Sequence, residues 1–233
     1  MFFYWGKVSR GNAGRPDVHL LPLHCLDVAA VAHRWLSRDP CLAARLLGCR
    51  AEQAEQWKAW ILFFTALHDL GKVDFRFQMK APDVAERLCR LHVKDNCGGE
   101  SGFDHGRWGY RWLIKERETY GLQGAPLPWM RAVASHHGRW VVDSGMCPVA
   151  EQEVLLHNRD ARHDLVRELA ALFLGSDDLS AVPLGPPPSL LAGFCSVCDW
   201  LGSNSDFFPF VDAPPESLAD YYAVRLGEDY AGR

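Results

Sequence analysis

Apolar positions in the first part of the chain recur three and four apart. Leu23, Leu26, Val28, Ala30, Val31 and Leu36 form a broad face behind Pro22, and predict a helix from there to Ser37. His24 and Asp27, three apart, share one face of it. From about Ala51 to His68 the pattern changes. Trp57, Trp60, Ile61, Phe63, Phe64 and Leu67 leave no polar side, so this second helix belongs in the core and Gly71 is expected to end it. Asp83 to His92 reads as a short helix, followed by a Gly-rich loop from Asn96 to Gly102. Asp104 can cap a helix that continues to Glu118 with Trp108, Trp112 and Leu113 inward. Further helices are predicted over Pro128 to His137, stopped at Gly138, and over Glu151 to Leu174, stopped at Gly175. Pro183 to Pro188 makes a stiff connection to a last core helix, Ser189 to Leu201, and Ser217 to Leu226 forms a terminal one. No sustained period-two alternation, repeat or charge block interrupts this series. The expectation is a single all-α domain over residues 1–233, with at most a minor β-hairpin from Phe2 to Val8 or Trp140 to Val142.

Composition narrows the classes. A chain of 233 residues that is 48% hydrophobic and 23% charged suits one well-buried domain and excludes disorder as its main state. Lys and Arg number 25 against 29 Asp and Glu, a net charge of −4, which excludes a polybasic protein but leaves room for a local basic groove. The longest apolar run, Trp60 to Leu67, is far below the roughly 20 residues that span a bilayer. Met1 to Lys7 lacks the features of a secretory signal, so a cytoplasmic location with reduced thiols is expected. The 8 cysteines read as small core residues; Cys195 and Cys198 have the spacing of half a zinc site, but nothing completes it.

The sharpest chemical feature is His68-Asp69, directly after the most apolar helix. A buried carboxylate beside an imidazole is costly unless paired, and a divalent cation makes both useful. Alone, the dipeptide reads equally well as a helix-end histidine with a solvated aspartate. Its companions change that balance: His24, His105, the His136-His137 pair and Asp199 each lie on or at the end of an apolar helix, where a polar residue needs a reason. Together they argue for a metal site. His19, His33, His92, His157 and His163 have no such company and read as surface histidines. Asp27 reads as a solvated helix acid, with a hydrogen bond behind His24 as the alternative.

The motifs occur in a specific order. Trp5-Gly6-Lys7 is followed by His24 with Leu26-Asp27-Val28-Ala29, then by Phe63 to Lys72 with Phe75-Arg76-Phe77-Gln78 behind it. Asp104-His105-Gly106, Ser135-His136-His137-Gly138 and Asp199-Trp200-Leu201-Gly202-Ser203-Asn204 complete the series. This set resembles the HD phosphohydrolase superfamily, and within it the HD nuclease domain of the CRISPR type I helicase-nuclease, over nearly the whole chain. Phe75 to Gln78, and Ser203-Asn204 ahead of Phe207-Phe208-Pro209, are most similar to the Cascade-associated subtype.

The resemblance implies an HD-domain helical bundle and a metal-dependent deoxyribonuclease, endo- or exonucleolytic, of CRISPR interference. It implies cleavage preferentially in single-stranded DNA by a water activated by two divalent ions. His24, His68, Asp69 and Asp199 would hold one ion, and His105, His136 and His137 the other, with Asp69 bridging. Two cations about 3.5 to 4 Å apart can clamp both the attacking and leaving oxygens of a phosphodiester. Imidazole-rich ligation favours Mn, Fe, Co, Ni or Zn and disfavours Mg. Lys72 is expected to contact the scissile phosphate or neutralise the leaving oxygen, with a dipole-favoured helix-end lysine as the alternative. Phe75, Arg76, Phe77 and Lys80 interleave rings and charges as a single-strand groove does, although the two rings fit a packed core equally well. Arg107, Arg111 and Arg139 flank the ligands. The implied partners are single-stranded DNA, the Cascade surveillance complex and a helicase domain or subunit. No G-x-x-x-x-G-K-[ST] phosphate loop occurs in the chain, so ATP use is not expected in it, whether it is an excised domain or a separate subunit. A nucleotide or cyclic-nucleotide phosphohydrolase, and a non-catalytic Cascade-docking module, are the alternatives.

Overall fold

Pro22 sits in the first turn of α1 (Leu21–Arg38), the helix around which the rest is built. The computed structural model describes residues 1–9, 16–48, 54–89, 102–142, 153–175 and 186–227. α1 packs against α3 (Ala54–Ala66), α9 (Pro188–Gly202) and α10 (Leu218–Gly227). α7 (Leu127–Ala134) in turn joins α9 to α6 (His105–Lys115). The apolar α3 lies in the core as its composition requires, with Phe64 edge-on to Trp129 of α7 at 5.7 Å between ring centroids. Fully buried rings such as Phe63 and Phe64 each stabilise the fold by about 1.5–3 kcal/mol. The all-α expectation holds. α8 (Glu153–Phe173), α9 and α10 fall within two residues of their predicted bounds. No helix among the described residues is long and apolar enough to cross a membrane.

The minor sheet is a hairpin of β1 (Trp5–Ser9) and β2 (Asp17–Leu20), antiparallel, with an irregularity between Trp5 and Lys7. Residues 140–142 take no part in it. Two short helices were not foreseen. α2 (Pro40–Leu47) starts on Asp39, whose side chain accepts from the Leu42 amide, with Pro40 in its first turn. α4 (Phe75–Gln78) starts on Asp74 in the same way. α5 (Pro82–Cys89) covers the described part of the predicted Asp83 to His92 helix; its expected end lies outside the described residues. Residues 96–101 of the predicted Gly-rich loop and 183–185 of the Pro183 to Pro188 connection also lie outside them.

Gly71 does not cap α3, which ends at Ala66. The chain tightens through His68 and Asp69 into a 3₁₀ turn, Leu70–Lys72. A Cβ at position 71 would lie 1.8 Å from the His105 carbonyl oxygen, so the glycine lets α6 rest directly on the turn. That contact carries His105 to Asp69.

His19 and Asp27, expected at the surface, are both buried. His19 Nε2 lies 2.9 Å from Asp27 Oδ2, while the Tyr221 hydroxyl donates to Asp27 Oδ1 at 2.9 Å and Arg225 Nε lies 3.1 Å from the same oxygen. α10 supplies two of these partners, which are invisible from the α1 sequence alone. Cys25, Cys195 and Cys198 are buried free thiols, as small core residues should be.

Candidate metal centre

Five segments deliver the polar side chains to one place: the first turns of α1 bring His24, the end of α3 leads into His68-Asp69, α6 opens on His105, α7 runs out at His136-His137, and α9 carries Asp199. Asp104 fixes the start of α6 by accepting from the Arg107 amide at 3.1 Å, which sets the angle at which His105 enters. All seven predicted ligands converge, and they fall into two groups. His24, His68, Asp69 and Asp199 form one, and His105, His136 and His137 the other, each with its ligand atoms within 4.8 Å of one another.

Asp69 stands between them. Its Oδ2 lies 3.1 Å from His24 Nε2 and 3.3 Å from His68 Nε2. Its Oδ1 lies 3.2 Å from His105 Nε2 and 3.6 Å from His136 Nε2. Asp199 Oδ1 closes the first group, 3.4 Å from His24 and 3.6 Å from His68. In the second, His137 Nε2 comes within 2.7 Å of His105 Nε2.

Backbone carbonyls fix two of the tautomers. His68 Nδ1 donates to Thr65 O at 2.9 Å and His136 Nδ1 to Val133 O at 2.8 Å. Both Nε2 atoms are thereby turned inward. Those Nε2 atoms, His24 Nε2 and Asp69 Oδ1 are buried with no aligned hydrogen-bond partner. Buried polar atoms left so are costly. Here they face a common centre rather than one another, which is the arrangement that a cation satisfies. Five imidazoles and two carboxylates suit divalent transition ions.

The electrostatics follow from burial and from two lysines. Burial would raise the Asp69 carboxyl, but Lys72 and then His68 hold it well below the ordinary carboxylate range. Burial likewise opposes ionisation of Asp199, and the adjacent imidazoles of His24 and His68 outweigh it. His68 is pushed up to about 9, because Asp69 and Asp199 overcome the burial that would lower it. His136 and His105 are lowered, chiefly by burial, which favours the neutral ligand form.

Lys72 is buried, 2.5 Å from Asp69 Oδ2 and donating to Gly6 O at 2.9 Å. In this structure the ammonium holds Asp69 and the β1 backbone. Lys7 was missed as a site residue. Its Nζ lies 3.3 Å from Asp199 Oδ1, and only its place in Trp5-Gly6-Lys7 marked it in the sequence.

The residues expected in a single-strand groove are placed in a packed corner. Phe75 and Phe77 are buried, 6% and 5% exposed, and offer no face to a base. Arg76 pairs through two nitrogens with buried Asp74, at 2.9 and 2.7 Å, and stacks 3.9 Å from the Trp108 ring centroid. Lys80 donates to Phe103 O at 2.9 Å. Arg76→Ala should accordingly cost about 2–3 kcal/mol of stability in urea unfolding, by stranding Asp74, and leave DNA affinity unchanged. Wild-type stability with impaired DNA binding would reverse that assignment.

A family model described as "Cas3, HD domain" matches residues 5–208. The chain is 36% identical over 261 residues to the CRISPR-associated endonuclease/helicase Cas3 of Escherichia coli (strain K12), covering 95% of this chain and 28% of that protein. It thus spans little more than a quarter of that relative's length. Three solved structures share the fold. T. fusca Cas3-ADP aligns with a TM-score of 0.72 at 20% identity, covering 97% of this chain and 26% of the other. A CRISPR RNA-guided surveillance complex in its pre-nicking form gives 0.65 at 20%, covering 97% and 28%. The Thermus thermophilus cas3 HD domain in the presence of Ni2+ gives 0.54 at 24%, covering 89% and 80%.

Proposed function

The chain belongs to the Cas3 HD-domain family, and from that premise we propose that it hydrolyses DNA phosphodiester bonds, preferentially in single strands, with two divalent cations held around Asp69. The observation that carries this reading is the division of labour at Asp69, whose two oxygens face the two histidine groups separately. His24, His68, Asp69 and Asp199 would hold one cation, and His105, His136 and His137 the other, with Asp69 shared. When bound, such cations polarise a phosphoryl oxygen and bring the pKa of water near neutrality.

The chain's own residues supply position and protection. The carbonyls of Thr65 and Val133 keep His68 and His136 aimed inward, and Lys72 holds Asp69 against Gly6. Burial of His24, His68, Asp69 and His136 excludes bulk water from the floor of the centre, while His137 is exposed and opens it to substrate. The buried thiols of the core do not compete as nucleophiles: burial raises Cys25, Cys195 and Cys198 far from thiolate formation.

Single-strand preference rests on this depth. A flexible strand can bend to a recessed centre, whereas a blunt duplex needs a broad cationic face that a net charge of −4 makes hard to assemble. Rings for stacking are available on Trp140 and Trp200, which are 44% and 72% exposed and lie beside the ligands His137 and Asp199 in sequence. The E. coli relative, named as an endonuclease/helicase, and the structurally similar CRISPR RNA-guided surveillance complex support action beside a helicase and such a complex. The test is cleavage of labelled single-stranded and blunt duplex DNA by the 233-residue chain with Mn2+ or Ni2+. Single strands should be cut at least about tenfold faster. Equal rates would contradict the strand preference, and hydrolysis of nucleotides alone would contradict the nuclease reading.

A further inference from the structure

We propose that Lys7 is a substrate-contacting residue, whose ammonium takes a phosphate oxygen of the DNA strand at the open side of the centre. The inference rests on the nuclease reading and adds to it a group that neither the ligand set nor the motif assigns.

The hairpin is built to deliver this side chain. β1 crosses α1 at Gly6, where a Cβ would lie 2.9 Å from His24 Cβ, so only glycine lets the strand run this close to a ligand. Residues two apart on a regular strand share a face. The irregularity between Trp5 and Lys7 separates them. Trp5 turns to Phe77, 4.7 Å between ring centroids, and to Gln78, whereas Lys7 turns to Asp199.

Two ammonium groups touch the carboxylates of the centre, and they differ in freedom. Lys72 is 5% exposed and held by Asp69 and Gly6 O. Lys7 is 27% exposed, and its contact is the single ion pair to Asp199 Oδ1 at 3.3 Å. That same oxygen faces His24 and His68, so a cation held by this group would compete with Lys7 for it. A lysine has three donors on a flexible four-carbon stem. Released from Asp199, this partly exposed ammonium would be free to take an anionic strand at the centre. A phosphodiester is the one negative group that the proposed reaction brings there.

The test compares Lys7→Ala, Lys7→Gln and Lys7→Arg in the 233-residue chain. Mn2+ affinity without DNA is measured by calorimetry, binding of a fluorescent phosphorothioate oligodeoxynucleotide by anisotropy over a salt series with Mn2+ present, and kcat and KM by cleavage. Lys7→Ala and Lys7→Gln should raise the DNA Kd and the KM about tenfold, as loss of a charged hydrogen bond does. They should reduce the slope of log K against log salt by about 0.7, one phosphate contact on a single strand. Mn2+ affinity should be unchanged or tighter, and Lys7→Arg should restore DNA binding. A folded Lys7→Gln protein with wild-type Kd and salt slope, from a wild type that cuts DNA, would overturn the inference and leave Lys7 as a counter-charge for Asp199. A wild-type protein that neither binds nor cuts DNA with any of the transition ions would overturn the nuclease reading and this inference with it.

Discussion

Asp69→Asn should abolish cleavage, by at least about a thousandfold, in a protein whose circular dichroism is unchanged. The carboxylate is the one group within 3.6 Å of histidines from both ligand groups, so its loss weakens both at once. Asparagine is the informative replacement because of Lys72. That ammonium is 5% exposed and lies 2.5 Å from Asp69 Oδ2. Alanine would leave it buried without its partner, at a cost of about 3–5 kcal/mol, and would confuse unfolding with loss of chemistry. Asparagine keeps the volume and one oxygen acceptor, and replaces the charge and the second oxygen by a neutral NH2 group. Turnover at the wild-type rate in folded Asp69→Asn would sink the shared-ligand account.

The second large effect concerns metal identity. Chelation should silence the protein, and Mn2+, Co2+ or Ni2+ should restore cleavage at least about tenfold better than Mg2+ at equal concentration, because five imidazoles and two carboxylates face the centre. A stability signature should accompany it. Cations that bind only the folded chain stabilise it by mass action, about 2.7 kcal/mol at a hundred times Kd, so Mn2+ should raise the melting temperature and EDTA should reverse the rise. Rescue by Mg2+ equal to that by Mn2+ would contradict the assignment.

The ligand residues were legible in the sequence because each breaks a local pattern. His24 and Asp199 interrupt apolar helices, His105 opens one, His68-Asp69 follows the most apolar helix, and His136-His137 ends another, so a common metal site could be argued before any coordinate. What stayed hidden depends on partners remote in sequence. Asp27 looks like an ordinary helix acid until Tyr221 and Arg225 arrive from α10. Phe75 to Lys80 has the composition of a binding groove and of a packed corner alike. Asp74, Phe103 and Trp108 decide for the corner by surrounding Arg76. Gly71 matched a helix stop, but its use is the close crossing of α6, which no local pattern encodes. Lys7 stood in a recognised motif without a role, since only the strand irregularity aims it at Asp199.

The central claim is that two cations share Asp69, and anomalous diffraction from crystals of the Mn2+-loaded chain tests it most directly. Two peaks should appear, one among His24, His68, Asp69 and Asp199 and the other among His105, His136 and His137, with Asp69 between them. A single peak that does not touch Asp69, or no peak at a Mn2+ concentration that supports cleavage, would contradict it.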